Sequence, residues 1–422
     1  MDLKHSGFPV PSDYFGVLWG LSGIKDLVIL EHGSPGTCSY NAFNYRIMNR
    51  QSPKGKLFSS GMDQDDVVMG RADKVVDAVR ELDHNLHPRI IALVATGVTS
   101  VIGLDLDGII NEIQPETHAR LVSFPHGGFA GDYNQGIMEA FRTMVDLVKE
   151  PADQRPFSVN IIGPTIDSFN NVSDLAEIER MLGLLGAEVN TVFTCRTTVE
   201  EIEQMASASV NLVTRDLGLE TAQILKERFG IPYIHGLPFG VHGSVRWMND
   251  VADNLGLRLE KRTIAQELLK YGYSVLELFG FMQNFDHLRS LLSCPCDYAL
   301  GLAGWMAEEW GLPPSAVALS TRPQMPYVAE KLERMGVSKV LIEPESQTME
   351  DALNGIKPHV IFGSSYDLQI ARNIPVKIHA AFPAFDYVYR FDGSPFVGFR
   401  GHAYLTQTLV NSLNAHPEVF LS

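Results

Sequence analysis

The strongest constraint on the fold is a pattern that recurs along the whole chain. A short apolar, β-branched run is followed by a turn rich in Gly, Ser or Pro, and then by a helical pattern. In the first part of the chain, such strand-like runs occupy residues 27–30, 90–94 and 119–124. Strands that alternate with helices are typical of βαβ units, in which successive strands lie parallel in one sheet. The pattern therefore predicts an α/β protein with doubly wound, Rossmann-like domains and parallel sheets.

The pattern is interrupted twice, which predicts three such domains. The first interruption is near residue 156, before a new strand-like run at residues 158–162. The second is near residue 285, before a run at residues 288–292. A chain of 422 residues is long enough for about two to four domains of ordinary size. We expect an N-terminal domain, a middle domain and a third domain with a C-terminal tail, at residues 1–156, 157–285 and 286–422.

Charge and hydropathy argue against two classes of partner. Acidic residues outnumber basic residues by 50 to 34, and the formal net charge of −16 would repel a nucleic-acid backbone. No apolar run in the sequence approaches the roughly 18 residues that a membrane-spanning helix needs. We therefore expect no nucleic-acid partner, no membrane partner and a cytoplasmic location.

The first candidate site is the loop at residues 31–38, with the sequence EHGSPGTC. It follows a strand-like run, and Gly33 and Gly36 permit backbone angles and close approaches that larger residues forbid. A thiolate at Cys38, near the carboxyl end of a parallel strand, is placed to bind iron or to act as a nucleophile. A single cysteine is more often a small buried hydrophobe, so its chemistry has to be judged from its context.

The other cysteines and the histidines of Gly-rich loops give weaker signals. Cys294 and Cys296 form a C-x-C pair where a strand meets its helix, and such a pair can bind a metal or form a strained disulfide. We interpret both, and Cys195 at another strand end, as buried structural cysteines. His126 and His235 follow strands in Gly-rich loops, where open α/β sheets bind ligands, but contacts with the local backbone explain them equally well.

Several segments, in the same order along the chain, resemble the nitrogenase component 1 family. Residues 32–38 are similar to the family's first cluster-ligand motif, and residues 59–70 and 94–105 are similar to the segments that carry its second and third cysteines. The family's third-domain signatures resemble residues 357–366, 381–386 and 395–401, the last particularly in β-type chains. The resemblance covers nearly the whole chain, which is identified as a member of the family.

The chain departs from the family pattern at several ligand positions. Met69 stands in the neighbourhood of the second cysteine, and Gly97 or its neighbour stands at the position of the third. Thr214 and Arg215 occupy the place where an α-type chain has a cysteine for its catalytic metal cofactor. The resemblance therefore implies a β-type chain in which Cys38 alone occupies a family ligand position.

A single ligand position implies a shared cofactor. An ordinary four-iron cluster needs four ligands. We therefore expect Cys38 to bind an iron–sulfur cluster of the [4Fe-4S] type that is shared with a partner subunit, with Gly33, Gly36 and Gly97 at the cofactor site. The partner implied is an α-type component 1 subunit or a second copy of the chain.

Three functions remain open from the sequence. In the first, the chain is a subunit of a nitrogenase-like reductase and relays electrons from an ATP-dependent iron protein to a substrate or cofactor site. The chain itself has no Walker sequence for ATP hydrolysis. In the second, it is a non-catalytic scaffold subunit for assembly of a nitrogenase metal cofactor. In the third and least favoured, it is a ligand-binding protein that has lost the cluster. The substrate classes that the family suggests are small molecules with a multiple or carbon–sulfur bond, and tetrapyrroles.

Overall fold

The computed structural model describes residues 10–49, 55–272, 285–322, 327–381, 384, 386 and 391–420. These residues form three sheets, and the paired strands within each sheet are parallel. Helices connect the successive strands. The predicted α/β fold with doubly wound parallel sheets is confirmed.

The first sheet contains β1 (Leu27–His32), β2 (Leu57–Ser59), β3 (Ile90–Ala95) and β4 (Arg120–Phe124), in the order β2-β1-β3-β4. Every residue of β1 and β3 is buried, as expected for central strands that have helices on both faces. The winding direction reverses between β1 and β3. The loops after these two strands therefore diverge and leave a crevice at the carboxyl edge of the sheet.

Helices cover both faces of the first sheet. They are α1 (Asp13–Ser22), α2 (Pro35–Asn49), α3 (Gln64–Met69), α4 (Asp73–Leu86), α5 (Gly97–Val101), α6 (Leu106–Ile113) and α7 (Tyr133–Val145). Leu27 and Ile29 of β1 pack in one core with α1 and α7, whereas Val28 and Leu30 pack in another with α4 and α6. This alternation follows from the two-residue period of a strand.

The second sheet contains β5 (Arg155–Ile162), β6 (Glu188–Val192), β7 (Ala208–Val213) and β8 (Tyr233–His235), in the order β6-β5-β7-β8. Its crevice lies between β5 and β7. The helices that follow its strands are α8 (Asn171–Leu185), α9 (Val199–Glu203), α10 (Leu219–Phe229), α11 (Gly240–Leu255) and α12 (Lys261–Glu267). Strand β5 begins one residue before the predicted boundary at residue 156, and the division into domains at 156 and 285 stays a prediction.

The third sheet contains β9 (Ser290–Cys294), β10 (Ala316–Leu319), β11 (Lys339–Ile342), β12 (Val360–Gly363) and β13 (Val376–His379), in the order β11-β10-β9-β12-β13. Its crevice lies between β9 and β12. The helices in this unit are α13 (Cys296–Trp310), α14 (Tyr327–Arg334), α15 (Ser346–Ile356) and α16 (Ser365–Ile370). No helix within the described ranges is long and apolar enough to cross a membrane.

The C-terminal tail returns to the second unit. Its helix α17 (Gly398–Asn414) packs against α8, α11 and β13. Before this helix, the backbone N–H of Phe396 donates to the Asp174 carboxylate at 2.7 Å. Within the motif at residues 381–386, positions 382, 383 and 385 lie outside the described residues. Shorter 3₁₀ or π-helical segments are Gln114–Glu116, Met205–Ser207, Asp216–Gly218, Leu268–Gly272, Phe285–His287 and Pro417–Phe420.

Candidate functional site

The Cys38 loop lies at the crevice of the first sheet. Strand β1 ends at His32 and α2 begins at Pro35, so Cys38 falls in the first turn of this helix. Its backbone N–H donates to the carbonyl of Ser34 at 3.0 Å. Cys38 is 5% exposed, whereas Tyr40 one half-turn later is 65% exposed. The thiol therefore lies just below the surface at the carboxyl edge of the sheet.

Gly33 allows the Cys38 loop to pass close to the end of β3. A Cβ at Gly33 would lie 2.4 Å from Thr96 Cγ2 and 3.2 Å from Cys38 Sγ. Thr96 Oγ1 donates to the carbonyl of His32 at 3.0 Å, which joins the loops after β1 and β3. Only a residue without a side chain fits between the thiol and Thr96.

The loop after β2 reaches the same place. The Ser59 hydroxyl hydrogen-bonds to the Cys38 thiol. The backbone N–H of Met62 donates to the carbonyl of Gly33 at 3.0 Å. Together with Thr96 after β3, these contacts bring the three segments that resemble the family's cluster-ligand motifs to one edge of the first sheet.

A buried carboxylate lies next to the thiol. Glu31 is 1% exposed, hydrogen-bonds to the Cys38 thiol and accepts a 3.0 Å bond from Asn41 Nδ2. Burial raises the pKa of Glu31 to about 7. Burial, together with the charge of Glu31, raises the pKa of the Cys38 thiol to about 12. The thiol alone therefore keeps its proton at neutral pH, and a metal ion must displace that proton in order to bind.

The other residues predicted for this site have different surroundings. Gly36 lies in α2, where a Cβ would meet no atom within 4 Å among the described residues. Gly97 is the first residue of α5, at the same edge as Cys38, and a Cβ there would lie 3.8 Å from the Phe129 ring. Met69, at the end of α3, is 65% exposed.

The donor atoms around Cys38 fit a cluster that is shared between chains. The site offers one thiol, the Glu31 carboxylate and Nε2 of His32, which is buried and has no hydrogen-bond partner among the described residues. Clusters of four irons are usually held by four thiolates. The remaining cysteines are free, buried thiols of the second and third units, namely Cys195, Cys294 and Cys296. One thiol fits one corner of a cluster, and the other ligands would come from another chain.

Exposed apolar side chains lie on the elements that begin at this edge. Tyr40 and Phe43 are exposed on α2, Val98 and Val101 are exposed on α5, and Phe129 is exposed in the loop after β4. A group of exposed apolar residues beside a site is typical of a protein interface. This edge of the first sheet therefore has the character of a partner surface.

The crevice of the second sheet carries Arg215, which the sequence resemblance predicts at the position of the cofactor cysteine of α-type chains. Arg215 donates to Thr165 Oγ1 at 2.7 Å and to Ser168 Oγ at 2.9 Å, and it lies 3.4 Å from the Asp167 carboxylate. Thr214 and Arg215 both line a cavity at this crevice. Arg215 is thus engaged in contacts within this chain, and the position offers no thiol.

The sequence pattern assigns no role to two residues at these crevices, Glu31 and Asp167. Glu31 carries one signal that could have been used, because a carboxylate inside an otherwise apolar strand is rarely buried without a partner. Asp167 has no such signal, since it reaches Arg215 from a loop 48 residues earlier in the chain. His126 and His235, predicted as weaker candidates, contact Glu139 and Asp216.

The fold and the site define an α/β protein of three doubly wound units with a single-cysteine loop at the edge of its first sheet. The family described as nitrogenase component 1 type oxidoreductase matches residues 12–414. The chain belongs to this family, and the predicted resemblance is confirmed.

Relatives and solved structures agree with this assignment. The B subunit of the light-independent protochlorophyllide reductase of Nostoc punctiforme is 25% identical over 420 residues, which cover 94% of this chain and 81% of that protein. The corresponding B subunit of Huperzia lucidula is 23% identical over 421 residues, with coverages of 94% and 82%. The structure of nitrogenase Cp1 at pH 6.5 matches with a TM-score of 0.81 at 19% identity, covering 99% of this chain and 95% of that chain. At this identity, the structural likeness shows the shared fold.

Proposed function

We propose that the chain is the β-type subunit of a nitrogenase-like reductase, in which Cys38 binds one corner of a [4Fe-4S] cluster shared with a partner subunit. The observation that carries this proposal is the meeting of the Cys38 loop with the loops after β2 and β3 at one crevice. Family membership supports the oxidoreductase class, and the relatives that are reductase B subunits support the β-type assignment.

The residues of this chain have separate tasks at the site. Cys38 supplies a thiolate, and Gly33 keeps the space between the thiol and Thr96 free of side-chain atoms. Glu31 is hydrogen-bonded to the thiol and has a pKa of about 7, so its carboxylate is placed to take up the proton that the thiol loses on metal binding. Asn41 holds that carboxylate in position. When bound, the cluster supplies one-electron transfer between the partner proteins.

The partner surface is the group of exposed apolar residues on α2 and α5. We propose that Tyr40, Phe43, Val98 and Val101 contact an α-type subunit, which supplies the remaining cluster ligands. A second copy of the chain is the alternative partner. Family membership supports a separate ATP-dependent iron protein as the electron donor. The chain has no Walker sequence of its own.

The relatives indicate where a search for the substrate should start. The matched B subunits are named as parts of a reductase of protochlorophyllide, which is a tetrapyrrole. Tetrapyrroles are therefore the first substrate class to assay with the reconstituted complex. Small molecules with a multiple or carbon–sulfur bond are the second.

Iron and sulfide analysis of anaerobically purified complexes tests the assignment of Cys38. Cys38→Ala should lower the iron content and weaken the subunit contact together, because alanine offers no ligand. Cys195→Ala is the matched control, since it removes another buried thiol and should cost only packing, roughly 1 kcal/mol. Cys294 and Cys296 should likewise be dispensable for the cluster. Full iron in Cys38→Ala together with loss of iron in the Cys294/Cys296 double variant would place the cluster in the third unit instead.

The single thiol also favours a second function, a scaffold that holds a precursor cluster during assembly of a metal cofactor. A scaffold should transfer its iron and sulfide to an acceptor protein and show no substrate turnover with the iron protein and ATP. A reductase should keep its iron through many turnovers. A chain purified without oxygen that contains no iron with any partner would instead support the ligand-binding function.

A further inference from the structure

Three side chains outside the Cys38 site meet where the carboxyl edges of the second and third sheets face each other. Asp216 follows β7, and Cys296 and Asp297 begin α13 after β9. One ligand atom from each of these residues lies within 4.8 Å of the other two. We propose that this group binds a first-row divalent cation such as Zn²⁺, through one thiolate and two carboxylates.

The distances are close to those of a tetrahedral metal site. Cys296 Sγ lies 3.6 Å from Asp216 Oδ2 and 4.0 Å from Asp297 Oδ1. Metal–sulfur bonds of about 2.3 Å and metal–oxygen bonds of about 2.0–2.2 Å place the two ligand atoms about 3.5 Å apart at a tetrahedral angle. Both sulfur–oxygen distances are therefore within about half an ångström of those in a tetrahedral site.

Neighbouring polar groups orient the three ligands. His235 Nε2 lies 2.9 Å from Asp216 Oδ1, and Thr321 Oγ1 donates to Cys296 Sγ at 3.2 Å. The backbone N–H of Asp216 donates to Asp297 Oδ1 at 2.5 Å. Hydrogen bonds of this kind fix ligand orientation in protein metal sites. The ligands are also largely shielded from water, because the side chains of Asp216, Cys296 and Asp297 are all at least nine-tenths buried.

The balance of buried charge favours a cation. The Arg215 guanidinium lies 3.4 Å from Asp167 and 3.9 Å from Asp297, so one positive charge is divided between two carboxylates. Asp216 adds a third carboxylate to the same region, with the His235 imidazole 2.9 Å from it. Buried carboxylates require compensation, and a divalent cation supplies two positive charges while it also stabilises the Cys296 thiolate.

The surroundings leave room for a further ligand on the metal. The same three residues line two neighbouring cavities, of about 320 Å³ and about 440 Å³. Three protein ligands with an open fourth position are typical of catalytic zinc sites, whereas structural sites are closed by four. A thiolate among the ligands favours Zn²⁺ or Co²⁺ over Mg²⁺ and Ca²⁺, which prefer oxygen.

Cobalt titration of the full-length Cys38→Ala protein tests the proposal. This variant removes the proposed cluster ligand and leaves the second group of ligands unchanged. After treatment with a chelator, the protein should bind one Co²⁺ per chain with a thiolate-to-cobalt absorption band in the near ultraviolet, and Zn²⁺ should displace it. Failure to bind one Co²⁺ per chain, or binding without the thiolate band, would overturn the proposal.

Substitutions in the same background assign the ligands. Cys296→Ser should abolish the thiolate band, and Asp297→Asn should lower the affinity for Co²⁺. His235→Gln should lower that affinity by about 10- to 100-fold, as expected for a residue that orients a ligand. Cys294→Ala is the matched control, because Cys294 is fully buried two residues away and lies outside the group. Its affinity and absorption band should be unchanged.

Loss of the band in Cys294→Ala with retention in Cys296→Ser would also overturn the proposal. Far-ultraviolet circular dichroism identifies variants that fail to fold. The cobalt titration of the Cys38→Ala protein tests the proposal even if one of the ligand variants fails to fold. The outcome is separate from that of the proposed function, because cluster iron is measured in the complex and depends on Cys38. Whether or not Cys38→Ala lowers the cluster iron, the cobalt titration still tests the cation site. Likewise, the cobalt titration does not change what the iron analysis says about Cys38.

Discussion

A single methyl group at Gly33 should damage the Cys38 site. In Gly33→Ala, the new Cβ would lie 2.4 Å from Thr96 Cγ2, 2.9 Å from Thr96 Oγ1 and 3.2 Å from Cys38 Sγ. Carbon atoms cannot remain at 2.4 Å, so Thr96 or the loop must move. Overpacking of this kind costs typically about 1–3 kcal/mol.

The movement also affects the hydrogen bond from Thr96 Oγ1 to the carbonyl of His32. Loss of that bond should add about 1 kcal/mol, so the free energy of unfolding should fall by about 2–4 kcal/mol in all. Denaturant titration of the isolated chain measures this change. In the complex, cluster iron should fall as well, because Cys38 Sγ is in the path of the new methyl group.

Gly36→Ala provides the matched control. It adds the same methyl group three residues later, where no described atom lies within 4 Å of the new Cβ. Alanine is also a better helix former than glycine by about 1 kcal/mol, so the unfolding free energy should be unchanged or slightly higher. Equal losses in the two variants, or no loss in Gly33→Ala, would refute the argument from contact with Thr96.

Two further predictions concern buried carboxylates. Burial raises the pKa of Asp174 to about 7, above its value in the unfolded chain, so its stabilisation of the fold is complete below about pH 4 and is lost as the pH rises through 7. Asp174→Asn should remove this dependence of stability on pH, which amounts to at most about 4 kcal/mol. Denaturant titrations from about pH 4 to 8 measure the dependence. A variant with the same pH profile as the original chain would contradict the prediction. Glu309 Oε2 lies 2.8 Å from His402 Nδ1 between α13 and α17. Glu309→Ala should cost about 2–5 kcal/mol, because it removes the carboxylate that contacts a buried histidine. Glu308→Ala, at an exposed surface bridge, should cost less than about 1 kcal/mol, and equal losses would contradict the assignment.

Sequence patterns predict the central strands of the sheets well. The runs at residues 27–30 and 90–94 correspond to the central strands β1 and β3. Central strands of parallel sheets are buried on both faces, so their apolar, β-branched composition is constrained along their whole length. The short strands β2 and β13 leave no comparable pattern. They are edge strands of only three and four residues. Pairing with a neighbouring strand decides where such short strands form more than their composition does.

The position of the cysteine loop is predictable, but its surroundings are not. Cys38 follows an apolar run in a loop that resembles a family motif, so local sequence is sufficient to find it. The contact between Glu31 and the thiol depends on where α2 packs over β1, which the sequence of the loop does not specify. Asp216 and Cys296 are 80 residues apart in the chain, and only the packing of two sheets brings them together.

The three crevices of the fold are equivalent in topology but not in their neighbours. Each lies at a carboxyl edge where the winding direction reverses, which is where open α/β sheets bind ligands. The crevices of the second and third sheets face each other, so Asp216, Cys296 and Asp297 can meet within one chain. The crevice of the first sheet has one thiol and is bordered by exposed apolar residues, so a cluster held there by four thiolates would need ligands from another chain. Our two proposals differ for this reason: we propose a cation site that is completed inside the subunit, and a cluster that is completed at the contact with another subunit.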